Sequence, residues 1–266
     1  MNSRHRSKLE NTLKIGLFAV LLLVAVLPAA AMERGSYSME ILVDGRPLQE
    51  FAGRNRTYVE ALEGREYSIR LQNHTDRRIA VALSVDGLNS IDAKTTSARD
   101  ARKWILAPRQ TITLDGWQTS SSTARRFFFT TETDSYGAWL GKTRNLGLIT
   151  AAVFRERPIR PRPLAIDAPA APGEKRRARA DASAEADDDH AATGIGRELD
   201  HRVRRVNFVA EASPAAVLEL RYEYHDALVR LGVLPRTYAR HHDPLDRRER
   251  ARGFDDLDFA PDPYRR

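Results

Sequence analysis

The chain has 266 residues, a formal net charge of +7 and no cysteine. That length allows one or two domains, and the missing thiols exclude thiol catalysis, zinc–thiolate and iron–sulfur centres, disulfide staples and a lipid anchor on cysteine. The charge is dispersed, about +3 at the N-terminus, about +4 over residues 32–158 and about zero beyond. No basic stripe with interleaved aromatics marks a nucleic-acid binder, so mild attraction to an anionic surface is the most it supports.

Residues 1–14 carry Arg4, Arg6, Lys8 and Lys14, and an uninterrupted apolar run follows from Ile15 to Leu27. Pro28 ends the run, and Ala29–Ala31 supply the small residues of a cleavage site. This order predicts a secretory signal peptide over residues 1–31 and an extracytoplasmic protein, periplasmic or secreted. Extended to Met32, the run also reaches the lower limit of a bilayer span. Membrane contact is therefore expected only through an uncleaved signal.

A β domain is expected over residues 35–157. Tyr37 to Val43 reads as a first strand, stopped by Asp44-Gly45, a dipeptide suited to tight turns. Arg46 to Phe51 and Thr57 to Ala61 read as the next two. Glu66 to Asn73 alternates, with Tyr67, Ile69 and Leu71 on one face and polar residues on the other, as in a strand with one wet face. Arg78 to Val85 is small or apolar on both faces, which predicts a central strand. It stops at Asp86-Gly87. Trp104 to Leu106 and Gln110 to Leu114 are further extended runs, the latter stopped by Asp115-Gly116 and followed by Trp117. Ala124 to Thr130 holds Phe127, Phe128 and Phe129. Ser135 to Gly141 reads as a loop carrying Tyr136 and Trp139, and Leu146 to Phe154 as a second central strand. Short strands with turn signals every 8–12 residues suggest an antiparallel β-sandwich.

Residues 158–197 are rich in proline, alanine and charge, which predicts a disordered linker. Val203 to Ala210 and Ala216 to Tyr222 read as a hairpin, followed by a short helix from Glu223 to Leu231. This 198–233 unit is too small to fold alone, so it should dock on the sandwich. Residues 234–266 read as a disordered tail. The expected fold class is mostly β, a sandwich with one short C-terminal helix.

Few residues suggest chemistry. The loop from Asp86 to Asp92 places Asp86, Asn89 and Asp92 at i, i+3 and i+6, an oxygen-rich pattern of the kind calcium uses. The spacing is not that of an EF-hand, and local Asx-type turns explain it more simply. His74 near Asp76 could be imagined in a triad with Ser84 or Ser135, but no G-x-S-x-G is present. The His241-His242-Asp243 and Asp187–His190 runs have metal-ligand residue types without a folded context. No catalytic, cofactor or metal residue is assigned. Trp117, Tyr136 and Trp139 sit at strand ends, where aromatics either plug a sandwich or stack on a sugar or partner. Asp86, Asn89, Asp92, Trp117, Tyr136 and Trp139 are thus the candidate binding surface.

The segments SVDGLN from Ser84, DGW from Asp115, SYGAWLG from Ser135 and NLGLITAAVFRE from Asn145 together resemble a group of uncharacterised bacterial exported proteins. The later VNF and LELRYEYHDALVRLGV segments resemble that group's C-terminal part. The resemblance implies no activity. The expected function is a non-enzymatic binding or structural module of the cell envelope, with envelope proteins or polysaccharide as partners. The alternatives are an extracytoplasmic hydrolase of envelope polymers and the periplasmic part of an anchored complex.

Overall fold

A computed structural model describes residues 32–157 and 188–235. The expected signal peptide, most of the expected linker and nearly all of the expected tail lie outside the described residues, as do His241, His242 and Asp243. The strands are β1 (Met32–Arg34), β2 (Tyr37–Val43), β3 (Arg46–Pro47), β4 (Glu50–Gly53), β5 (Arg56–Glu60), β6 (Glu66–Asn73) and β7 (Ile79–Val85). They continue as β8 (Leu88–Asn89), β9 (Trp104–Leu106), β10 (Thr111–Leu114), β11 (Gly116–Gln118), β12 (Thr123–Thr131) and β13 (Leu148–Arg155). β14 (Ala191–Asp200) and β15 (Ala216–Glu223) complete the strands, and two short helices, α1 (Tyr136–Trp139) and α2 (His225–Arg230), accompany them.

The fold is mostly β, built from two sheets. One runs β1-β2-β6-β12-β11, with β3, β10 and β14 attached to β2, β6 and β12. The other runs β4-β5-β15-β13-β7-β8, with β9 on β7. Neighbouring strands are antiparallel except β5 with β15, which are parallel. Alternation decides which residues face inward. Tyr67, Ile69 and Leu71 of β6 meet Val81, Leu83 and Val85 of β7 in one core, together with Phe127 and Phe129 of β12. On β7 and β13 the outer face is buried as well: Ala80, Ala82, Ala152 and Phe154 form a smaller cluster, against which Ile105, Phe208 and Ala210 pack. That double burial is why both strands read as central.

The three Asp-Gly dipeptides do two different jobs. Asp44-Gly45 and Asp86-Gly87 take positive φ at both residues (51° and 74°, 53° and 75°), the backbone of a two-residue hairpin loop. Asp115-Gly116 instead lies where the chain passes from β6 to β12: Thr111–Leu114 pair with β6, and Gly116–Gln118 with β12. A Cβ on Gly116 would stand 1.9 Å from the Arg125 carbonyl oxygen, so glycine is required for close approach of two backbones.

The structure departs from the expected elements in four places. The predicted Arg46–Phe51 strand is two pieces, β3 and β4, in different sheets. Tyr136–Trp139 is a helical turn, capped by the Ser135 side chain, which accepts from the Ala138 N–H. The chain has already re-entered the sandwich at Ala191, inside the stretch predicted as linker. Ala191, Ala192 and Thr193 are buried, and Gly194 leaves the space that the Phe128 ring fills, so bulk on β12 substitutes for bulk on β14. Val203–Ala210, predicted as a strand, is irregular apart from one bridge between Ala210 and Glu156. The predicted hairpin is therefore absent: β14 extends one sheet while β15 inserts between β5 and β13 of the other.

Substituting Gly116→Ala should lower stability by about 1–3 kcal/mol, the cost typical of overpacking, read as a reduced urea midpoint with an unchanged slope.

Candidate binding surface

Asp86 occupies the first loop position of the β7–β8 hairpin, and its side chain turns into the core, where the residue is 2% exposed. Its Oδ1 accepts from the Gly147 N–H (2.9 Å) and the Tyr222 hydroxyl (2.5 Å), and its Oδ2 accepts from the Thr193 N–H (2.7 Å). Tyr222 Oη lies 2.6 Å from Thr193 Oγ1, which lies 2.7 Å from Tyr67 Oη. Each hydroxyl carries one proton. With Tyr222 donating to the carboxylate, Thr193 donates to Tyr222 and Tyr67 donates to Thr193, so every proton points toward Asp86.

This network joins both sheets: Asp86 and Tyr222 belong to one, Thr193 and Tyr67 to the other. It also finishes an edge. Among the described residues β14 pairs only with β12, and two of its amides are met by carboxylates instead, Thr193 N–H by Asp86 and Ala191 N–H by Glu223 Oε2 at 3.3 Å. Burial pushes the Asp86 carboxyl up to about 7, while the hydrogen bonds from Tyr222 and the backbone of Thr193, Gly147 and Leu148 restrain the rise. Burial likewise pushes the Tyr67 and Tyr222 phenols well above their ordinary range.

The other oxygens of this loop do not converge with Asp86. Asn89 is 4% exposed; its Oδ1 accepts from the Ile91 N–H and its Nδ2 donates to the Arg102 carbonyl. Asp92 accepts from the Lys94 N–H at 3.3 Å and pairs with Arg102 at 3.4 Å. These are Asx-type turn contacts, and no group of three or more metal-ligand side chains gathers among the described residues.

His74 meets neither serine considered for it. Its Nε2 lies 3.1 Å from Ser38 Oγ, whose own proton goes to Gln72 Oε1 at 3.0 Å. The serine oxygen is thus an acceptor from histidine, opposite to the direction that activates a nucleophile. Ser135 is occupied as the α1 cap, donating to the Glu132 carbonyl.

The aromatics divide by depth. Trp117 is 2% exposed and its indole N–H donates to the Gly194 carbonyl, so it supports the surface from beneath. Tyr136 packs on it with ring centroids 5.1 Å apart. Trp139 is 78% exposed and lies nearly parallel to Tyr136, at 5.8 Å and 16°. A separate groove of about 300 Å³ opens on the outer face of β7 and β13. Ala82, Ser84, Thr150 and Ala152 lie along it, with Lys94, Thr95 and Thr96 of the preceding loop and Asn145 bordering it. The groove was not legible in sequence, because it arises from small outward residues on two strands distant in the chain.

A folded carboxyl raised above its ordinary value of 3.8 contributes stability that is fully present below that value and is lost as pH rises through about 7. Asp86→Asn should therefore flatten the pH dependence of the thermal midpoint across that window. It should also cost about 1–3 kcal/mol at its acid end, because the amide nitrogen cannot accept one of the three donors.

No curated protein and no solved structure matches the chain. A family model described as a domain of unknown function, DUF7918, matches residues 36–237, a span containing every strand from β2 to β15 and both helices. With that match over most of its length, the chain belongs to the DUF7918 family.

Proposed function

We propose that the protein is a non-enzymatic binding module whose working surface is the end of the sandwich bearing Trp139. The observation that carries this reading is the exposure of one large aromatic on a built platform. Trp139 is 78% exposed and its ring is backed by Tyr136 and then by buried Trp117. A flat indole held from behind binds a sugar ring or an apolar partner side chain at low entropic cost. The acid of unusual character, Asp86, meets three internal donors across the two sheets, which fits a structural role. The partner class is an envelope polysaccharide or envelope protein. The extracytoplasmic setting rests on the charged, apolar and small-residue order of residues 1–31.

The test is retention on insoluble cell-wall polysaccharide and on immobilised envelope protein, comparing wild type with Trp139→Ala. The substitution removes an exposed ring and should leave the unfolding free energy within about 0.5 kcal/mol of wild type. Loss of an anchoring aromatic should weaken retention about tenfold or more. Equal retention of both proteins on every matrix would contradict the proposed surface.

A further inference from the structure

Residues 201–215 form an extended strap over the outer face of the second sheet. Its start is tied to the loop before β12 by His201 N–H to the Ser122 carbonyl and Val203 N–H to the Ser121 carbonyl (2.8 and 2.9 Å). Its middle is held by Arg78, which donates to the Asn207 carbonyl and lies over the Phe208 ring. Phe208 packs on the Ala80, Ala152 and Phe154 cluster. Its end bonds to β13 and the residues after it, through Glu211 N–H to the Arg155 carbonyl and Arg157 N–H to the Val209 carbonyl.

The side chains that do not hold the strap down are of two kinds. Arg202, Arg204 and Arg205 are exposed, and among the described residues none has a carboxylate partner. Val206 and Val209 are 44% and 55% exposed, two of the three exposed large hydrophobics of the described chain. Further cations flank them: Arg78, Arg157 and Lys103, whose ammonium sits 5.0 Å from the Phe154 ring. The neighbouring acids are Glu156, paired with Arg78 at 3.6 Å, Glu211, Asp100 and the exposed Asp200 just before the strap. The face remains cationic after they are counted.

We infer that this strap docks on an anionic lipid surface, with Arg202, Arg204 and Arg205 at the headgroups and Val206 and Val209 entering the interface. Clustered arginines beside exposed aliphatic side chains match the two components of interfacial binding, electrostatic attraction and buried apolar area. A nucleic acid would use exposed aromatics for stacking, and the strap's two rings are both engaged and partly buried, Phe208 beneath Arg78 and His201 edge-on to Trp104. The run from Arg202 to Val209 is local in sequence; what the fold adds is the exposure of its valines and the approach of Arg78 from a distant strand.

The absence of cysteine allows one fluorophore to be placed at will. The full chain carrying an environment-sensitive label at Val206→Cys is titrated with vesicles of phosphatidylcholine, alone or mixed with phosphatidylserine. A blue shift on the mixed vesicles alone is expected, with none from the same label at Glu63→Cys, a site without contact to the strap. Arg204→Ala with Arg205→Ala should weaken the response by about fivefold per arginine at an unchanged circular-dichroism melt. Three results would overturn the inference: no shift at residue 206, an equal shift on neutral vesicles, or arginine variants that respond like wild type. A shift on single-stranded RNA without one on vesicles would assign the strap to a different polyanion and overturn it equally.

Discussion

A carboxylate placed in a dry core costs several kcal/mol unless its oxygens are met by donors, and the meeting of those donors organises this sandwich. Asp86 receives two backbone amides and a phenol from three separate parts of the chain: Gly147 before β13, Thr193 in β14 and Tyr222 in β15. The hairpin loop at Asp86-Gly87 aims the side chain inward, and the core supplies the partners. Two of them belong to the C-terminal part of the chain, which follows residues 158–187. The network therefore gives that part a polar reason to return to one place, in addition to the apolar contacts of Leu218, Leu220 and Tyr222. A two-residue slip would keep an apolar face inward, but it would break the match of a carboxylate to specific amides.

The network continues as a series of rings. Tyr222 lies 5.4 Å from Phe129, Phe129 lies 4.3 Å from Tyr67, and Tyr67 lies 5.3 Å from Phe127. Phe127 meets Trp117 edge-on at 5.1 Å, and Trp117 leads through Tyr136 to Trp139 at the surface. Seven aromatic side chains thus connect the buried acid to the exposed indole. The surface aromatic is reached by an unbroken series of ring contacts that begins beside the buried acid.

Much of the fold was legible because alternation is a local signal. β6 and β7 read correctly from the faces of Tyr67–Leu71 and Val81–Val85, and the turns at Asp44-Gly45 and Asp86-Gly87 from backbone preference. β14 was not legible, because Ala191, Ala192 and Gly194 make room for β12 rather than filling space themselves. The irregular course of Val203–Ala210 was hidden for the converse reason: its valines and Phe208 alternate like a strand, yet they lie on top of a sheet. At the surface, sequence grouped residues that the fold places at different depths. Asp86, Asn89 and Trp117 are the buried support, Asp92 and Tyr136 are intermediate, and Trp139 is the exposed member. Depth is set by the packing of distant segments, which no local pattern encodes.

The central claim is that Asp86, Tyr222, Thr193 and Tyr67 act as one unit across the two sheets. A double-mutant cycle of Tyr222→Phe and Thr193→Val tests it most directly, because each change removes a hydroxyl while keeping most of the shape. Groups that share a hydrogen-bond network show coupling of about 0.5–3 kcal/mol, whereas independent sites add within about 0.5 kcal/mol. The double variant should unfold at a denaturant midpoint well above the one that summing the two single losses would give, since the first lost hydroxyl already breaks the relay to Asp86. Strict additivity of the two losses would contradict it.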